Sequence, residues 1–165
     1  MPVQIKKIDV ATTMWLSVPT LGIYGMCQFF RAMRTYYSCA VFADDEDDTA
    51  HEHLFWIFVG LWIVGAATAF IAVGIFVMLI GIIIGAVLLS KVLQLRDRAM
   101  ESLGTTSISR GSWSRTSHIW CWVLGELGCF IVVGLILLII QGVQFFKEYN
   151  DFVSLYGEQQ QRAVI

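Results

Sequence analysis

Between Leu54 and Leu93 the chain reads LFWIFVGLWIVGAATAFIAVGIFVMLIGIIIGAVLLSKVL, and no charge interrupts it before Lys91. Coiled into one helix, this stretch would be about 60 Å long, yet a bilayer's hydrocarbon core is about 30 Å thick. It therefore predicts two membrane spans, 54–73 and 74–93, with a tight turn between Gly65 and Gly74. Composition points the same way. Hydrophobic residues make up 57% of the 165, the mean hydropathy is +0.69, and charged residues make up 15%, against about 25% in soluble domains. A soluble domain of this kind would expose large apolar patches. A net charge of −2 offers no footprint for nucleic acid.

Two further spans complete the layout. Residues 11–30 are apolar but diluted by Thr12, Thr13, Ser17, Thr20 and Gln28, and they contain Pro19, which membrane helices tolerate. Lys6 and Lys7 precede this run as in a signal sequence. No small-x-small cleavage site follows, so the segment is expected to be retained. Residues 119–141 form the last span, with Trp120 and Trp122 at its start, where indoles favour the interface. The expected fold is all-α, an integral membrane protein of four transmembrane helices with two short loops. Loop 31–53 is acidic, loop 94–118 is basic and Ser/Arg-rich, and 147–165 is a polar tail. Within loop two, QLRDRAMESL is expected to continue the preceding helix until Gly104 ends it.

Four spans put both loops on one face and both termini on the other. Loop one carries Arg31 and Arg34. Loop two carries Lys91, Arg96, Arg98, Arg110 and Arg115, and the termini carry Lys6, Lys7, Lys147 and Arg162. This count favours cytosolic loops, whereas the lysines ahead of the first span favour cytosolic termini, the orientation adopted here. The plasma membrane, or an intracellular membrane, is the expected location. Acidic Asp44, Asp45, Glu46, Asp47 and Asp48 in loop one and Arg110 and Arg115 in loop two are expected to attract each other or partners of opposite sign.

Candidate functional residues are few. Gly81 and Gly85 form a GxxxG, and Cys121, Gly125 and Cys129 recur every four residues; both are smooth faces suited to close helix packing. Glu126 is the one acid within a span, where a carboxyl is costly and tends to be functional. It could hydrogen-bond Thr20 or Gln28, contact a partner's span, or serve a proton or cation path. Ser112 and Ser114 follow Arg110 as possible phosphorylation sites. His51, Glu52 and His53 beside the acidic run invite a metal reading, but the acids are consecutive rather than spaced for one coordination sphere. The four cysteines, Cys27, Cys39, Cys121 and Cys129, show no metal spacing, and Cys39 alone falls in a polar loop. No cofactor motif occurs, and no nucleophile is matched to a base.

The hydropathy outline resembles that of the tetraspanins, without their Cys-Cys-Gly motif or cysteine-rich loop. Gly60-Leu61-Trp62 matches part of the claudin signature, without its loop cysteines. The chain is assigned to neither family. The expected function is non-enzymatic: organising, stabilising or helping to traffic other membrane proteins by lateral helix contact, with self-association possible. A channel or transporter subunit using Glu126, and an adhesion or fusion protein acting through its loops, are the alternatives.

Overall fold

The computed structural model describes residues 5–17, 20, 22–44, 50–68, 72–104, 112–128 and 132–162, and no strand occurs among them. Six helices follow in order: α1 Val10–Ser17, α2 Ile23–Asp44, α3 Ala50–Thr68, α4 Ala72–Ser102, α5 Arg115–Leu127 and α6 Val132–Arg162. Among the described residues, one helical segment, Phe76–Ser102, is long and apolar enough to cross a membrane, with a mean hydropathy of 2.6 over its most apolar 18 residues; Glu52–Gly65 is apolar but shorter.

The helices pair as three antiparallel hairpins. In the first, Gly25 of α2 lies against Ser17 of α1. In the second, Gly65 faces Met78, Gly81 faces Leu61 and Gly85 faces Phe58. In the third, Gly125 rests on Leu138 and His118 on Phe145. The hairpins also share one direction. Met14 of α1 meets Gly142 of α6, and Ile8 bonds Asn150, so α1 runs antiparallel to α6. Phe29 and Tyr36 of α2 meet Phe145 and Tyr149 in that order, so α2 runs parallel to it. Phe30 and Arg34 of α2 meet Phe55 and Glu52 of α3. All three hairpin tips therefore lie at one end of the molecule, and the ends of the helices that flank both loops and both termini lie at the other.

The break in the first hairpin has a local cause. Proline disfavours helical backbone in the residue before it, and α1 stops at Ser17, two residues short of Pro19. Gly22 then adopts φ 85, a left-handed conformation that glycine takes without a Cβ penalty, and its N–H closes on Ser17 O at 2.7 Å. The segment 11–30 is thus two helices rather than one. The segment 119–141 is likewise divided: α5 ends at Leu127 with Gly128 as its cap, and α6 begins at Val132. Gly128 and Gly134 approach so closely that a Cβ on Gly128 would meet Gly134 Cα at 3.2 Å. The long apolar stretch turns between Thr68 and Ala72, inside the interval set by Gly65 and Gly74. Beyond Lys91, α4 continues to Ser102, and Gly104 follows at φ 68, as its sequence suggested.

Two segments differ more sharply from the expectation. The first half of the acidic loop is helix, since α2 runs on to Asp44 and buries Ala32, Met33, Tyr36 and Cys39. Cys39 is a core residue, and burial pushes its thiol up to about 11. The polar tail is helix as far as Arg162 and buries Tyr149, Phe152 and Val153. Both segments carry apolar residues at helical spacing on one face, which is enough to bury them against each other. Tyr36 is the centre of that contact, stacked edge-on against Tyr149 and tilted against Phe152. The Asn150 amide then clamps the N-terminal segment, accepting from Ile8 N–H at 2.8 Å and donating to Ile8 O at 2.7 Å.

Candidate functional site

A cluster of polar side chains joins three helices at the loop end of the bundle. Its centre is Glu148 of α6, which is 1% exposed. Glu148 Oε2 accepts from Arg96 Nη1 of α4 at 2.6 Å and from His118 Nε2 of α5 at 3.0 Å. Glu148 Oε1 accepts from the Trp113 backbone N–H at 2.7 Å and from Gln144 Nε2, one turn earlier on α6, at 2.9 Å. Four donors fill the acceptor capacity of a carboxylate. Burial pushes this carboxyl up, but the bonds from His118, Trp113 and Gln144 outweigh it, and Glu148 lies below the usual carboxylate range.

The rest of the cluster extends outward. Arg96 Nε and Nη2 fork onto Asp97 Oδ1 at 3.0 and 2.8 Å, and Asp97 Oδ2 takes Arg115 Nη2 at 3.1 Å. Ser114 caps α5 by accepting from Ser117 N–H at 3.1 Å, which sets the direction of the chain at Trp113. The Trp113 ring lies over His118 at 5.4 Å. Because the ionised carboxylate can only accept, His118 Nε2 carries the hydrogen. His118 Nδ1 is then a buried ring nitrogen without a partner among the described residues. His118 is fully buried, so the cluster presents no accessible acid–base pair. Its arrangement is that of a latch tying α4, α5 and α6.

The opposite half of the molecule is an apolar surface. Among the described residues, twenty large hydrophobic ones are exposed, including Trp15, Trp56, Phe76, Trp120 and Ile136, and every one lies tipward of a ring set by Asp9, Arg31, His53, Lys91, His118 and Lys147. Among the described residues, Glu126 is the one charged side chain on the tip side of that ring. Trp56 and Trp120 lie just inside it.

The residues singled out from the sequence distribute as follows. Gly81 and Gly85 are buried, and the close approach they allow is used within the chain. A Cβ on Gly85 would collide with the Trp122 indole and with Phe58 Cε2 at 2.8 Å, whereas one on Gly81 would meet Leu61 Cβ at 3.7 Å. Gly125 rests on Leu138, and Cys121 Sγ bonds Leu137 O at 3.4 Å, so this face also seals a hairpin. Glu126 lies not beside Thr20 or Gln28 but in a small cavity lined by Phe58, Trp62, Met78, Gly81 and Ile82. Thr20 Oγ1 instead bonds Leu16 O at 2.6 Å, and Gln28 Oε1 is buried without a partner among the described residues.

Arg115 joins Asp97 within its own loop, and Arg34 pairs with Glu52 at 3.0 Å within loop one. Arg96 of loop two also pairs with Glu148 of α6. Ser112 and Ser114 are exposed, and Ser114 is already engaged as a cap. The side chain of Asp44 and residues Asp45, Glu46, Asp47, Asp48, Arg110 and Cys129 lie outside the described residues.

Sequence reasoning missed Glu148 and His118. Glu148 sits on the buried face of a stripe formed by Phe145, Tyr149, Phe152 and Tyr156, spaced i, i+4, i+7 and i+11. An acid on such a face was the available signal. No protein-family model, curated protein or solved structure matches the chain.

Proposed function

We propose that this chain is an integral membrane protein whose three helical hairpins enter the bilayer from one face. We propose further that it acts without catalysis, holding and organising partner membrane proteins at that face. The observation that carries the reading is the segregation of the surface: exposed large hydrophobic residues on the tip side, charges on the other, and Trp56 and Trp120 at the boundary, where indoles favour the interface. A surface this apolar needs lipid or protein to cover it.

The four-span layout places loop two and the C-terminal tail on opposite faces of a bilayer. The 2.6 Å pair between Arg96 and Glu148 supports one face for both. The lengths agree with insertion to different depths. From Lys91 to the start of α4 is about 28 Å, close to the bilayer core, and from Lys147 to the start of α6 is about 22 Å. The organising role rests on the latch, which fixes a rigid polar end that can present both loops to partners on one side.

Alkaline carbonate extraction of membranes from cells expressing the full chain tests insertion. Retention in the membrane pellet is expected; release into the supernatant would overturn the reading.

A further inference from the structure

We propose that the first hairpin is a shallow wedge in the leaflet next to the polar end, so that the protein favours membranes convex toward that end. The proposal rests on one-sided insertion and adds a specific partner, the lipid bilayer in a curved state. Three observations carry it.

The first is depth. Met14 of α1 packs beneath Gly142 of α6, where a Cβ would meet Met14 Cε at 3.1 Å. From that level α6 continues tipward to Val132, about 15 Å, whereas α1 stops at Ser17, about 5 Å farther on. Helix α1 of the first hairpin therefore stops about 10 Å short of the level at which α6 of the third begins. From Arg31 to the start of α2 is about 12 Å, less than half of a hydrocarbon core of about 30 Å.

The second is surface. Trp15, Leu16 and Ile23 crowd the tip of this short hairpin and are exposed, Trp15 by 79%. They require an apolar surround at that depth, where water would otherwise meet them. The lipid-facing character of α1 and α2 thus belongs to one leaflet.

The third is cross-section. Six helices lie near the boundary ring, and four remain beyond Ser17 and Ile23. At a helix diameter of about 10 Å, the two that stop short add about 160 Å² to the near leaflet alone. An inclusion that is wider in one leaflet than in the other relieves its mismatch by bending the membrane away from the narrow side. Amphipathic helices seated in one interface are curvature-sensitive for the same reason.

The test uses the purified full chain inserted from detergent into preformed phosphatidylcholine vesicles, with small and large populations mixed in one tube. The expected result is a higher protein density per lipid area on the small vesicles. A Trp15→Gln/Leu16→Gln/Ile23→Gln variant should insert with the same helical content and lose that preference. Equal density on both sizes, with the protein resistant to carbonate, overturns the wedge while leaving insertion intact. Failure to resist carbonate overturns both. If the triple variant does not fold, the wild-type density ratio alone decides.

Discussion

Arg96 and Glu148 are separated by 52 residues, yet Arg96 Nη1 and Glu148 Oε2 lie 2.6 Å apart, with both side chains almost wholly buried. The pair brings the exit of the long apolar hairpin onto the middle of α6. It places the end of α4 that follows the long apolar run beside the half of α6 that leads to the C-terminus. Two buried charges cost more in desolvation than their attraction returns unless other bonds complete them. Here Asp97, His118, Trp113 and Gln144 complete them.

Glu148→Ala removes the buried acceptor of Arg96 Nη1, His118 Nε2 and the Trp113 N–H and leaves Arg96 with Asp97 alone; breaking a buried pair costs about 3–5 kcal/mol. The unfolding temperature of the detergent-solubilised protein, followed by circular dichroism, should fall steeply. An Arg96→Met/Glu148→Leu double variant should recover much of the loss, because no unpaired charge remains. A double variant as unstable as Glu148→Ala would mean that the pair is not what the core depends on.

Acid should have a related effect. Glu148 is held below its ordinary value, so the folded state favours the ionised form. The sign follows: the contribution is complete above the unfolded value, about 4.3, and is lost as pH falls through the lower folded value. The unfolding temperature should therefore drop as the pH falls below about 4. Glu148→Gln should lose that component of the drop, and an unchanged profile would assign it to other carboxylates.

The sequence made helices, tight turns and an apolar half legible, because the run from Leu54 to Leu93 admits few other solutions. It did not show that 119–141 is two helices. Cys121, Gly125 and Cys129 read as a packing face along one helix, and the close approach of Gly128 to Gly134 depends on what α5 folds back against. The site was hidden for a different reason. Polar flanks around Met33, Tyr36 and Cys39, and around Tyr149, Phe152 and Val153, looked like loop and tail, although each set is a helical stripe and both belong to the core. Arg96 and His118 acquire meaning only once α6 extends past the boundary ring to bring Glu148 between them.

Gly85 and Gly81 should respond differently to alanine. The Cβ of Gly85→Ala collides with Trp122 and Phe58, two large rings with little room to move, so a loss of about 1–3 kcal/mol is expected. Gly81→Ala places its Cβ at ordinary contact distance from Leu61 and should be neutral or slightly stabilising. Thermal unfolding of the two variants side by side checks this, and equal losses would argue against the hairpin packing.

Glu126 has an apolar surround of Phe58, Trp62, Met78 and Ile82. An acid at such a position costs about 2.5–3.5 kcal/mol on insertion scales. Glu126→Leu should therefore raise the unfolding temperature in detergent and preserve membrane retention. A marked fall would show that the carboxyl makes a specific contact, as the channel or transporter reading requires.

One-sided insertion is the central claim, and cysteine labelling on sealed membranes tests it most directly. With the native cysteines replaced, single cysteines at Thr49, Ser107 and Gln160 report on loop one, loop two and the tail. An impermeant maleimide should label all three from the same side and none from the other. Labelling of Ser107→Cys from one side and Gln160→Cys from the other would contradict the account and restore the four-span layout.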